Sequence, residues 1–207
     1  MQFEKGYIYH IYNQGNNKQK IFFNRGNYIF FLKKIKTHIL PYGDILAWCL
    51  MPNHFHLMVL VNETELKVSK IVGVASSDTD DTNRSDTDDT EKIRTINNSI
   101  GIMLRSYTQA INKQINRTGK LIREKTKAEC INCPNGITPS FIDNKINIVI
   151  PEKQYPQVCF NYIHKNPVKA NLVKKAVDWE FSSAKDYAGL RNGKLVNKIT
   201  AEKYLSV

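Results

Sequence analysis

The sequence predicts an α+β fold of the ferredoxin-like, split βαβ kind: a sheet with helices on one face, followed by a C-terminal helical extension. Three observations lead there. Two strand-like apolar runs, 44–50 and 54–61, are joined only by Met51-Pro52-Asn53, a tight connection because proline cannot donate to a ladder. Two long segments with helical apolar periodicity stand on either side of that pair. A further strand-like segment lies at each outer end, which completes the order strand, helix, strand, strand, helix, strand.

Residues 7–12, Tyr-Ile-Tyr-His-Ile-Tyr, are aromatic and β-branched and stop at Asn13-Gln14-Gly15-Asn16-Asn17, the pattern of a strand leaving into a polar loop. Asn24 is placed to cap a helix over 26–40. In it Tyr28, Phe31, Leu32, Ile35 and Ile39 recur at three- and four-residue steps until Pro41 and Gly43. From Ile93 to about Arg117 a second apolar stripe runs through Ile96, Ile100, Met103, Leu104, Tyr107, Ile111 and Ile115. Residues 121–131 start and end apolar and read as an edge strand carrying Arg123, Lys125 and Lys127 outward. Residues 132–151 read as loop. A third helix over 152–165 is expected to stop at Asn166-Pro167, because the residue before proline is pushed out of the helical region. The tail from Val168, with Trp179, Phe181 and Tyr187, is expected to fold back on the body. The expected organisation is one domain over 1–173 and an extension over 174–207 packed on it.

The formal charge of the 207-residue chain is +11, and it is unevenly spread. Residues 76–92 hold seven acidic side chains against Arg84 and Lys92; without them the chain has 28 basic and 12 acidic residues, a net +16. A body this positive attracts polyanions, nucleic acid above all. A membrane is disfavoured, since no apolar run approaches the length of a spanning helix. Within the acidic stretch Ser77-Asp78-Thr79-Asp80-Asp81-Thr82 recurs unchanged at 85–90. The repeat has no large apolar residue and reads as a solvated insertion rather than core. The glycine and closing glutamate of an EF-hand calcium loop are absent from it. The first residues lack the basic and apolar blocks of a signal peptide, so a cytoplasmic protein is expected. Of four cysteines only Cys130 and Cys133 have C-x-x-C spacing, half a zinc site, and all four are expected as reduced thiols.

Chemistry concentrates in two places. His54 and His56 flank Phe55 on a strand, so the imidazoles share one face about 7 Å apart along the chain and can converge on one ion while Phe55 points into the core. Read alone, two neighbouring hydrogen-bonded histidines fit the pattern equally well. Tyr162 and Asn166 are i and i+4 on a helix, a phenol beside an amide oxygen. An ordinary core tyrosine and a helix-ending asparagine fit that spacing too. Tyr107, with isoleucine at i+4, is assigned to packing; His164, on another face from Tyr162, is expected at the surface or toward DNA; His10 is left open as a possible neighbour of the ligands.

Taken together, the run Leu50-Met51-Pro52-Asn53-His54-Phe55-His56-Leu57 resembles the histidine-hydrophobe-histidine (HUH) motif of single-tyrosine transposases. The run 162–173, Tyr-Ile-His-Lys-Asn-Pro-Val-Lys-Ala-Asn-Leu-Val, resembles the signature of their REP-associated branch. Tyr9-His10-Ile11-Tyr12-Asn13-Gln14-Gly15 and Asp178-Trp179-Glu180-Phe181-Ser182-Ser183 extend the likeness over nearly the whole chain, apart from the acidic repeat and the loop near 132–150. The resemblance implies His54, His56 and Asn166 as ligands of Mg²⁺ or Mn²⁺ and Tyr162 as the nucleophile. It further implies a 5′-phosphotyrosine intermediate, a free 3′-hydroxyl, and rejoining by the reverse attack, as in DNA transposition. The implied substrate is single-stranded DNA carrying a hairpin, and the implied assembly is a monomer or a homodimer. DNA contacts are expected from Asn13, Gln14, Arg105, Lys113, Arg117, Lys120, Arg123, Lys125 and Lys127. Two departures stand out: Gln14 replaces a frequent arginine, and Asn171 replaces a usual glycine, though asparagine tolerates the left-handed turn. Two alternatives stay open on sequence: a non-catalytic hairpin binder, and a metal phosphoesterase that hydrolyses without a covalent intermediate.

Overall fold

The computed structural model describes residues 1–68, 92–134 and 154–207. The acidic repeat and most of the segment expected as loop over 132–151 lie outside them. Strand β1 (Ile8–Gln14) leads into helix α1 (Arg25–His38), then β2 (Gly43–Met51) and β3 (His54–Val61). A short pair, β4 (Glu65–Lys67) and β5 (Ile93–Thr95), precedes α2 (Ile96–Gln114). Strand β6 (Lys127–Cys130), helix α3 (Tyr155–Lys169) and the short helices α4 (Ala184–Tyr187) and α5 (Lys198–Glu202) follow. The main sheet has the order β2-β3-β1-β6 and is antiparallel throughout, which is the ferredoxin-like arrangement.

Local chemistry explains the main boundaries. Asn24 and Asn27 form a reciprocal capping box at the start of α1, and Thr95 caps α2 through the Asn98 amide at 3.1 Å. At Gly43 a Cβ would run into the Leu60 carbonyl oxygen, so only glycine lets β2 approach β3 there. The expected edge strand over 121–131 is shorter than its sequence suggests. Leu121 and Ile122 are buried, Gly15 and Ile122 form only an isolated bridge, and the ladder with β1 begins at Lys127.

Strand alternation divides the sheet into two chemically different faces. Tyr9, Ile11, Leu50, Phe55, Leu57 and Val59 face Phe31, Ile35, Met103, Tyr107 and Ile111 of α1 and α2 in the larger core. Ile8, Cys49, Met51, Met58 and Leu60 face Cys159, Phe160 and Ile163 of α3 in a second, smaller one. The C-terminal segment closes the free edge of β2: Leu50 N donates to Phe181 O at 2.8 Å and Ser183 N to Trp48 O at 2.9 Å. The Phe181 ring lies flat on Tyr28, centroids 3.9 Å apart.

Two expectations change. Helix α3 does not stop before Pro167 but runs through it to Lys169. The proline forfeits one bond, to the Ile163 carbonyl, and only two helical residues follow it. The end is closed instead by Asn171 in the left-handed region (φ 55°) and by Leu172 N donating to Pro167 O at 2.9 Å. Cys130 and Cys133 are not free thiols but a disulfide, their Cα atoms 5.8 Å apart; the two-residue spacing after β6 brings them within bonding reach. Cys49 and Cys159 are free and buried.

Candidate active site

The site lies on the α3 face of the sheet. It occupies a cavity of about 260 Å³ lined by His54, His56, Tyr162, Tyr12, Asn13, Gln14, Arg123, Lys125 and Lys127. Three elements build it. His54 and His56 project from β3 beside the Met51-Pro52-Asn53 connection. Tyr12 and Gln14 come from β1, in register with His56 and His54. Tyr162 and Asn166 come from one turn of α3, where their spacing puts both on the face toward the sheet.

Each histidine has one nitrogen fixed by a neighbour. His54 Nδ1 lies 2.6 Å from Asn53 Oδ1, an acceptor, and so carries the proton. That leaves His54 Nε2 bare, and it faces Asn166 Oδ1 at 3.5 Å. The Asn166 amide is oriented with its Nδ2 toward the Tyr162 carbonyl at 3.3 Å, which turns its oxygen to the histidine. Two lone pairs thus point at one space. His56 Nδ1 lies 2.9 Å from His10 Nε2, so its Nε2 is the nitrogen left to the cavity.

Burial keeps these rings neutral. The His54 pKa is lowered by desolvation, partly offset by Asn166. His56 is pushed well below 6.5 by desolvation, then by the proximity of His10 and His54. His10 is pushed down to about 4 by desolvation, with Glu129 opposing. Neutral imidazole is the form that ligates a metal.

The donor set fits a divalent cation. Atoms each about 2.1 Å from one ion stand roughly 3.0–3.4 Å apart, close to the separation of His54 Nε2 and Asn166 Oδ1. Opposed lone pairs in a half-buried position are unfavourable unless a cation, a proton or a water lies between them. Among the described residues no three His, Cys, Asp or Glu side chains form a ready ligand cluster, so a third protein ligand beside the two histidines would have to be of another kind, such as the Asn166 amide oxygen. Nitrogen and amide oxygen together suit Mn²⁺ or Mg²⁺ better than an all-thiolate metal.

The phenol is the second half of the site. The Tyr162 and His56 rings meet edge to face, centroids 5.4 Å apart. The Tyr162 pKa is raised above 10, first by burial and further by Cys159 and Glu129, while a hydrogen bond with Asn166 opposes the rise. Lys169 Nζ lies over the Tyr162 ring at 5.2 Å from its centroid, a cation the sequence reading did not single out.

The expected DNA contacts separate into groups. Asn13, Gln14, Arg123, Lys125 and Lys127 line the site cavity. Arg105 and Lys120, again with Arg123, line a larger groove of about 760 Å³ beside α2, floored by Ile100, Leu104, Leu121 and Ile122. Lys113 is exposed and lines neither, and Arg117 bonds to Asn112 Oδ1 at 3.1 Å. Asn13 is largely tied up internally: its Nδ2 donates to Arg123 O at 3.0 Å and to Thr126 Oγ1 at 2.9 Å. Gln14 presents its amide oxygen to Arg123, with Nε at 2.9 Å.

Three further placements matter. Tyr107 is fully buried, its hydroxyl donating to Ile21 O at 2.6 Å. His164 is not at the surface: it is buried, with Nε2 2.7 Å from Ser183 Oγ, because its side of α3 is covered by the C-terminal segment. Tyr12 and Glu129 went unnoticed in the sequence, and the Tyr12 hydroxyl donates to Glu129 Oε1 at 2.6 Å. The only signal for this pair is the alternation that puts Tyr12 on the same face as His10.

Paired imidazoles, a helix-borne phenol and an amide thus share one face of an antiparallel ferredoxin-like sheet. The chain has the fold of a REP-associated tyrosine transposase solved bound to a REP hairpin, with a TM-score of 0.52, 13% identity, and coverage of 95% of this chain and 94% of that one. No protein-family profile and no curated protein sequence matches the chain. Among the described residues no helix is long and apolar enough to cross a membrane.

Proposed function

We propose that this protein is a REP-associated tyrosine transposase of the HUH type that cuts and rejoins single-stranded DNA at hairpins. The observation that carries the reading is the meeting of His54, His56 and Tyr162 at one cavity that Arg123, Lys125 and Lys127 also line, with Asn166 Oδ1 3.5 Å from His54 Nε2. The hairpin-bound state of the structural neighbour supports a DNA hairpin as ligand.

His54 Nε2, His56 Nε2 and Asn166 Oδ1 would hold Mg²⁺ or Mn²⁺, which supplies Lewis-acid polarisation of the scissile phosphate. Arg123, Lys125 and Lys127 bind the backbone and hold that phosphate against Tyr162. The Tyr162 oxygen attacks phosphorus and loses its proton to solvent; the P–O3′ bond breaks and the 3′-oxygen leaves as a hydroxyl after taking up a proton. The DNA 5′ end is then held on Tyr162 as a phosphodiester, so bond energy is conserved without a nucleotide cofactor. Attack by a 3′-hydroxyl reverses the step, expelling the phenol and joining strands. Burial of Tyr162 disfavours its ionisation in the absence of DNA and cation, which restrains the nucleophile until the substrate is in place.

The test is a denaturing gel of protein incubated with labelled hairpin DNA and Mn²⁺. The expected result is a covalent protein–DNA adduct, absent with EDTA and absent in Tyr162→Phe. Cleavage without an adduct would make the protein a hydrolytic phosphoesterase, and binding without cleavage a hairpin-binding module; either result overturns the proposal.

A further inference from the structure

We infer that His10 is a positioning residue that sets the tautomer and orientation of His56, so that the second metal ligand depends on a histidine from a different strand. This rests on the reading of His54, His56 and Asn166 as the ligand set.

The argument starts from the 2.9 Å contact between His10 Nε2 and His56 Nδ1. Two bare ring nitrogens cannot meet at that distance without repulsion, so one of them carries the proton. If His10 Nε2 is the donor, neutral His56 has its proton on Nε2, and the nitrogen turned to the cavity is blocked. If His56 Nδ1 is the donor, His56 Nε2 is bare and ligation is possible. Metal binding is therefore linked to a single proton arrangement of the pair, in which His10 acts as the acceptor.

The surroundings hold the His10 ring against His56. It lies on the central strand β1, 1% exposed, and faces the same side of the sheet as Tyr12, which pairs with His56 across the ladder. Its ring is nearly parallel to His56, at 20° with centroids 5.0 Å apart, and stacks with Tyr12 at 4.7 Å. The Tyr162 ring closes it edge-on at 6.0 Å. Tyr12 and Tyr162 confine the ring, so the His10–His56 contact is in place before any ligand arrives. His54 has the equivalent arrangement from within its own motif, through Asn53 Oδ1. Ligating histidines are commonly oriented by a carboxylate or carbonyl at the non-ligating nitrogen; here the acceptor for one of them is another imidazole.

The test compares Mn²⁺ affinity, read by the loss of the free-ion paramagnetic resonance signal, in the wild type, His54→Ala, His10→Phe and His10→Gln. His10→Phe keeps the ring packing and removes the acceptor, and is expected to weaken Mn²⁺ by roughly 10- to 100-fold. His10→Gln places an amide oxygen where Nε2 was and is expected to restore most of that loss. Nitrogen-15 correlation spectra of the metal-free wild type provide a readout that needs no variant: His56 is expected with its proton on Nδ1. Wild-type affinity retained in His10→Phe, or a His56 proton found on Nε2, overturns the inference while leaving the ligand set intact. Failure of the wild type to bind Mn²⁺, or binding unaffected by His54→Ala, overturns the ligand set and this inference with it.

Discussion

Strand β3 presents two chemistries from one backbone. On one side Phe55, Leu57 and Val59 pack against α1 and α2 among Phe31, Tyr107 and Ile111. On the other side His54 and His56 face α3 with Tyr162 and Asn166. Both sides are largely buried, yet they meet burial differently. The first is mostly apolar, and the fully buried hydroxyls of Tyr42 and Tyr107 there are satisfied by the main-chain carbonyls of Arg94 and Ile21. The second keeps its histidines neutral, one hydrogen bond each to Asn53 and His10, and leaves both rings lining a cavity. The lesson is that the site borrows rigidity from the face it does not use: Phe55 holds the strand while its two neighbours are left free for chemistry.

The largest test of that division is Tyr162→Phe. It should lower cleavage by about 10⁴-fold or more, since it deletes the proposed nucleophile, and change unfolding free energy by less than about 1 kcal/mol. Phe55→Ala should do the reverse, costing about 3–5 kcal/mol of stability in urea titrations. At temperatures where the variant is still folded, it should retain measurable adduct formation. A Phe55→Ala protein that is stable but inactive would show that the two faces are not separable in this way.

The sequence made the local half of this arrangement visible and hid the non-local half. His54 and His56 on one side of Phe55 follow from strand periodicity, and Tyr162 with Asn166 follows from helix periodicity, both within five residues. The ferredoxin-like order could be read from the alternation of patterns. The pairing of His10 with His56 depends on the register between β1 and β3, forty-odd residues apart, which no local pattern encodes. His164 looked like a surface residue because its covering partner, Ser183, belongs to a C-terminal segment whose docking site cannot be read from its own sequence. Pro167 was taken as a stop because the rule for the preceding residue is local, whereas Asn171 and Leu172 complete the end of α3 beyond it.

The acid limb of stability gives a smaller effect. His164 is held down to about 4 by desolvation, with Asp186 opposing, and His10 likewise to about 4. Each takes a proton near 6.5 in the unfolded chain. Between those values the unfolded state binds more protons, so stability is complete above pH 6.5, drains as pH falls to about 4, and then levels off. The loss should reach at most roughly 3 kcal/mol per histidine. His164→Gln, which can still meet Ser183 but cannot charge, should flatten part of that slope in urea midpoints measured from pH 7 to pH 4. An unchanged slope would mean that His164 is already protonated when folded.

The smallest expected effect separates specific from general electrostatics on the site face. Arg123 lines both the site cavity and the larger groove, whereas Lys113 is exposed and lines neither. Both carry the same charge, so a purely diffuse attraction would treat them alike. A phosphate held at Arg123 instead predicts that Arg123→Ala weakens hairpin binding by about 1 kcal/mol and reduces the slope of log affinity against log salt by about 1. Lys113→Ala should change affinity by no more than a few tenths of a kcal/mol. Fluorescence anisotropy across a salt series measures both quantities on the same labelled hairpin. Equal losses in the two variants would remove Arg123 from the DNA path and leave the basic wall of the cavity as general attraction only.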